Sequence, residues 1–178
     1  MTPQAREFGR AATRLVGSVV CVLVAASGTW AQPVPPETAT GRLRSADREA
    51  AALLETGWVR SATFRDLVAA IERSDLIVYV ETRPENLPGQ LQFVAATPSC
   101  RFVRVSIRTP GLPRERVAWL AHELCHAVEI AIAPEIRDQA TLRKYYERVG
   151  AAGRYSDHAE SSVAQAAGLQ VRLEMRGK

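Results

Sequence analysis

The stretch that decides the reading is Pro113-Arg114-Glu115-Arg116-Val117-Ala118-Trp119-Leu120-Ala121-His122-Glu123-Leu124-Cys125-His126-Ala127-Val128-Glu129-Ile130-Ala131-Ile132-Ala133-Pro134. Pro113 suits the first turn of a helix and Pro134 a stop, so Arg114 to Ala133 is expected to be one helix of about five turns at 3.6 residues each. Val117, Leu120, Leu124, Val128 and Ala131 recur at helical spacing and make one apolar stripe. His122 and His126 are four residues apart on the other side, where two imidazole nitrogens can converge on one cation. Glu123, turned about 100° from His122, is badly placed as a ligand but well placed to act on a metal-held water as general base. A helix anchored by one face while its histidines face a cleft is the arrangement that separates this motif from a chance string.

Outward from that helix, three β-rich stretches precede it: Leu76 to Thr82, Gln90 to Ala96 and Arg101 to Arg108. Val103, Val105 and Ile107 alternate with Arg104 and Ser106, as in a strand with one wet face, and a small antiparallel sheet is expected. Two short helices should come before the strands. One carries Ala51, Leu54 and Trp58 after the polar start at Ser45 to Glu49, and the other carries Phe64, Leu67, Val68 and Ile71 after Ser61. Downstream, Pro134 to Val149 reads as a helix closed by Gly150, and Ser156 or Asp157 as the cap of a last helix running to about Met175. The fold class this implies is α+β, a sheet packed with the motif helix and further helices.

The ends bound the domain. Arg6, Arg10 and Arg14 precede the apolar run Leu15 to Ala26, and Thr29-Trp30-Ala31 offers a small-residue cleavage site, so residues 1–31 read as a signal peptide and the chain as secreted or periplasmic. The run is shorter than the roughly 20 apolar residues of a membrane span, and no stable span is expected after cleavage. Gln32 to about Arg44, rich in Pro, Thr and Gly, reads as a linker, leaving 45–178 as one domain. Without Arg6, Arg10, Arg14 and Glu7, 20 basic and 18 acidic residues remain, so the full-length charge of +4 falls to about +2. Lys occurs only at Lys144 and Lys178, and the arginines are scattered rather than grouped with aromatics, which argues against a nucleic-acid partner. An oxidising compartment would permit Cys100 and Cys125 to pair, but Cys125 inside a helix is better read as packing.

A catalytic zinc takes three protein ligands and keeps one position open. Beyond His122 and His126 the candidates are His158 and the downstream acids Glu129, Glu135, Asp138, Glu147, Asp157, Glu160 and Glu174. Glu160 is preferred, because the helix it opens carries the small residues Val163, Ala164, Ala166, Ala167 and Gly168 and can pack close to the motif helix. Against it, Asp157-His158-Ala159-Glu160 also fits a capping box, which would turn Glu160 back on its own helix. Glu129, three residues after His126, is placed to orient a ligand histidine or simply to face water. Tyr145, Tyr146, Tyr155 and His158 are the candidates for stabilising developing negative charge.

The stretch HELCHAVEI resembles the zincin metallopeptidases, and the downstream glutamate makes it similar to their gluzincin branch and to small exported bacterial zinc metallopeptidases. The resemblance covers about Arg114 to Met175 and implies zinc on His122, His126 and Glu160, with Glu123 as the catalytic base acting on a peptide or protein substrate. It also implies that the strand ending near Arg108 is the edge strand that holds extended peptide. Two departures stand out: Glu160 follows His126 by 34 residues, longer than in thermolysin, and Ala164 occupies the place of a supporting Asp. A non-catalytic zinc-stabilised binding module, or a degenerate peptidase, is the competing reading. Retention of Glu123 beside the histidines speaks against it.

Overall fold

The computed structural model describes residues 41–148 and 160–176. In chain order the elements are β1 (Leu43–Ser45), α1 (Arg48–Arg60), α2 (Ala62–Glu72), β2 (Leu76–Arg83), β3 (Gly89–Ala96), β4 (Arg101–Arg108), α3 (Pro113–Ala131), α4 (Gln139–Arg148) and α5 (Ser162–Glu174). The class is α+β, as the residue pattern implies. The signal-peptide reading of 1–31 lies outside the described residues.

The sheet is mixed rather than antiparallel. Its order is β1-β2-β4-β3, with β1 and β4 both parallel to β2 and only β3 antiparallel to β4. The hairpin turn at Thr97 to Cys100, closed by the Thr97 N–H to the Cys100 carbonyl at 2.8 Å, returns the chain against β3, and β4 then inserts beside β2. Alternation along a strand shows which side chains face the core and is indifferent to the direction of the neighbour. The strand direction was therefore not in the pattern. β1 also corrects the linker boundary: Leu43 is buried and its segment pairs with Val78 to Val80, so the fold reaches back into the stretch read as linker.

One sheet face is apolar. Leu76, Val78, Val80, Phe93, Val103, Val105 and Ile107 point to a core completed by Leu53, Leu54, Phe64, Val68, Ile71, Val117, Leu120 and Leu124 from α1, α2 and α3. Burying side chains of this size is worth about 1.5–3 kcal/mol each before entropy is counted. The opposite face carries Arg83, Arg104 and Ser106 around Glu81, which pairs with both arginines and accepts from the Ser106 hydroxyl at 2.8 Å. Asp47 caps α1 by accepting from the Ala50 N–H at 2.8 Å and also accepts from the Thr82 N–H at 2.7 Å, tying that helix to β2. Ser61 caps α2 at Phe64 and donates to Glu174 of α5.

Arg101 fixes the end of the motif helix. Only 1% of it is exposed. Its guanidinium donates to the carbonyls of Ile130, Ala131 and Ala133, at 2.8, 3.1 and 2.8 Å, and closes on the Asp75 carboxylate at 2.6 and 2.8 Å. The last carbonyls of a helix have no partner within it and carry partial negative charge, so a buried cation there satisfies both needs. β4 thereby holds α3 by its C-terminus.

Two helix starts differ from expectation. α4 begins at Gln139 rather than Pro134, because Asp138 accepts from the Thr141 N–H at 2.7 Å and acts as its cap. α5 is capped by Ser161, whose Oγ accepts from the Ala164 N–H at 3.0 Å, rather than by Ser156 or Asp157.

Candidate metal centre

α3 carries His122, Glu123 and His126 across the sheet, with Leu120 and Leu124 fully buried on the side facing the other helices and strands. α5 lies against the same helix. Gly168 makes that possible: a Cβ there would stand 3.1 Å from the Ala118 carbonyl and 3.3 Å from the His122 Cβ. Ala164 is buried in the same contact. Of the small residues expected to admit a close partner, Ala164 and Gly168 do so, while Val163 and Ala166 are exposed.

The Nε2 atoms of His122 and His126 are 3.2 Å apart. Two Zn–N bonds of about 2.0–2.1 Å at a tetrahedral angle put their nitrogens about 3.3–3.4 Å apart. The pair is therefore spaced as one edge of such a site. Glu160 Oε1 is 3.9 Å from His122 Nε2, a little beyond an edge of that size. Among the described residues no three His, Cys, Asp or Glu side chains are already closed to metal-holding distances. The shortfall lies on Glu160, whose side chain is 45% exposed and turns about its own bonds. The donor set of two imidazoles and a carboxylate fits zinc.

His126 is held from behind. Nδ1 of His126 donates to Glu129 Oε2 at 2.8 Å, which leaves Nε2 to face His122. The Tyr146 hydroxyl donates to Glu129 Oε2 at 3.2 Å and stands 3.1 Å from His126 Nδ1, so it braces the ligand from behind rather than facing the open side. The Ala164 backbone near the His122 ring favours the charged form of that ring. Glu129 is an orienting group and not a solvated surface charge.

The electrostatics follow from these contacts. Burial is the largest influence on His126 and lowers its pKa, but the Glu129 hydrogen bond and the nearby Glu123, Glu129 and Glu160 charges together raise it. Burial lowers His122, as does the facing His126. Burial alone would raise Glu129, yet hydrogen bonds from His126, Ser161 and Tyr146 hold it below the ordinary carboxylate value. Glu123 is 7% exposed, and burial pushes it up to about 7. A carboxyl balanced near neutrality can both take and return a proton.

Glu123 rests against β3. A Cβ at Gly89 would come within 2.8 Å of Glu123 Oε1, so only glycine leaves the carboxyl its place. This corrects the edge-strand assignment: β4, the strand ending at Arg108, is internal, and β3 is the edge strand on its side of the sheet, with β1 at the other edge. The Phe93 N–H points away from β4 and donates to the Gln139 side chain of α4 at 3.3 Å. By alternation the main-chain groups of Gly89 and Leu91 face the same outer side.

The capping-box alternative for Glu160 fails. The cap is Ser161, and Glu160 Oε2 accepts from Gln165 Nε2 at 3.0 Å while Oε1 faces His122. His158 and Tyr155 lie outside the described residues. Cys100 and Cys125 are both free thiols, and burial pushes Cys125 up to about 12, which leaves it inert packing. Arg101, Gly89 and Ser161 are the positioning residues that pattern reading passed over. No family model, curated protein or solved structure matches the chain.

Proposed function

We propose that this chain is an exported zinc-dependent hydrolase, a metallopeptidase of the zincin type, with His122, His126 and Glu160 as the metal ligands and Glu123 as the base. The observation that carries the reading is the 3.2 Å separation of the two Nε2 atoms, with Glu123 on the same helix and Glu129 fixing the tautomer of His126. Zinc bound there supplies a Lewis acid for a carbonyl oxygen and a water of lowered pKa.

The chain's own contribution is proton handling and alignment. Glu123 accepts a proton from the attacking water and returns it to the leaving amine, a role its place beside the two histidines on α3 suits. Gly89 fixes where that carboxyl sits. The outer edge of β3, beside Glu123, presents main-chain donors and acceptors to which an extended peptide can add as a further strand. That juxtaposition favours a peptide over an ester. Export rests on the residues of 1–31.

Glu123→Gln tests the reading. The variant should bind zinc as the wild type does and lose hydrolysis of a peptide library. Equal turnover by the variant would refute the role of Glu123. Absence of turnover in the wild type, with zinc bound and peptide retained, would favour the non-catalytic binding module instead.

A further inference from the structure

Glu129 joins the two elements that carry the ligands. Its Oε2 accepts from His126 on α3, and its Oε1 accepts from the Ser161 hydroxyl at 2.5 Å. Ser161 directly follows Glu160 and is the N-cap of α5, its Oγ accepting from the Ala164 N–H at 3.0 Å. One hydroxyl thus fixes the start of α5 twice, by donating across to α3 and by accepting from its own helix.

Toward its C-terminal end α5 is tied to α3 by the Arg172–Glu115 ion pair at 2.9 Å and buries Val171. Nearer the ligands the contact is made by Gly168 and Ala164, which allow close approach, and residues without projecting side chains do little to set the register there. Glu160 itself bonds to Gln165 on its own segment. The described polar tie that runs from the start of α5 to the ligand-bearing turn of α3 is Ser161 to Glu129.

We propose that Ser161 and Glu129 form a positioning bracket that sets the Glu160 carboxylate in register with His122 and His126 and thereby sets zinc affinity. The proposal rests on the zinc reading above and assigns Ser161 a role beyond capping. A bracket of this kind places a ligand before the ion arrives, so the ordering cost is met in folding and not in binding. Loss of partners behind metal ligands typically costs about 10- to 100-fold in affinity.

The test is zinc affinity of the full chain, by competition with a chromophoric chelator, for wild type, three substitutions of Ser161 and His122→Ala. Ser161→Thr keeps both cap and donor and should bind near the wild-type value. Ser161→Gly removes the hydroxyl while still capping tolerably, and Ser161→Asp caps as well as serine but cannot donate to Glu129. Both should bind zinc about 10- to 100-fold more weakly. The aspartate result is the more telling, since its added charge would by itself attract the cation. Cobalt-loaded Ser161→Gly should also show a visible spectrum different from wild type and Ser161→Thr, as Glu160 no longer completes the same site. Wild-type affinity and spectra in both Ser161→Gly and Ser161→Asp, with zinc lost in His122→Ala, would overturn the bracket and leave the zinc site standing. A wild-type chain that binds no zinc would overturn both. Far-UV circular dichroism confirms folding, and should one variant fail to fold, the other carries the test.

Discussion

Gly89 on the edge strand and Glu123 on the motif helix are in such close contact that a Cβ on the first would come within 2.8 Å of the carboxyl oxygen of the second. The Cβ would also stand 2.9 Å from Glu123 Cγ, so Gly89→Ala must move the whole of a buried side chain and not only its tip. We expect a stability cost of about 1–3 kcal/mol and unchanged zinc content, with kcat lowered on the order of 100-fold by misplacement of the base. Equal kcat would show that Glu123 is not held by this contact.

The α3–α5 contact gives a second prediction. At Gly168 any side chain meets the Ala118 carbonyl and the His122 Cβ, both parts of a helix that is itself packed in the core. Alanine would recover about 1 kcal/mol of helix propensity against that crowding, so its sign is a close balance. Gly168→Leu exceeds it, and should cost about 1–3 kcal/mol by overpacking and weaken zinc binding as α5 is pushed from His122. Thermal unfolding and chelator competition measure the two effects.

Arg101 should matter more for stability than any charged residue on the open sheet face. Arg101→Met takes the side-chain donor from the carbonyls of Ile130, Ala131 and Ala133 and the partner from the Asp75 carboxylate, and should cost about 2–4 kcal/mol at neutral pH. A denaturant midpoint equal to wild type would refute the clamp.

The same pair has a pH signature. The Arg101 hydrogen bond is the largest influence on Asp75 and lowers its pKa, outweighing partial burial. A carboxylate whose folded value is depressed contributes stability above its unfolded pKa of about 3.9, and loses it as pH falls through the folded value. The melting-temperature gap between wild type and Asp75→Asn should therefore be constant from pH 5 to 8, about the range well above both values, and close as acid is added. A gap that widens in acid would contradict the sign.

How much of this was legible in the residues varies with the kind of information. The helix Pro113–Ala131, its apolar stripe and the shared side of His122 and His126 follow from a 3.6-residue period and were readable. So was the value of small residues in α5. Arg101 was readable in principle: it has the same parity as Val103, Val105 and Ile107 and so points into the core, yet a charged residue opening a strand invites the opposite reading. Strand direction was not readable, because parity is blind to it, and the edge moved from β4 to β3 as a result. The cap of α5 was obscured by two competing signals. Asp157 to Glu160 fits a capping box, but Ser161 wins where its hydroxyl also meets Glu129, a contact 32 residues away that local spacing does not contain.

The central claim is that His122 and His126 hold one zinc ion. Metal analysis of the purified chain tests it most directly. One zinc per wild-type chain is expected, with zinc lost in folded His122→Ala and sharply reduced in folded Glu160→Ala. A wild-type chain without zinc, or zinc undiminished in His122→Ala, would contradict it.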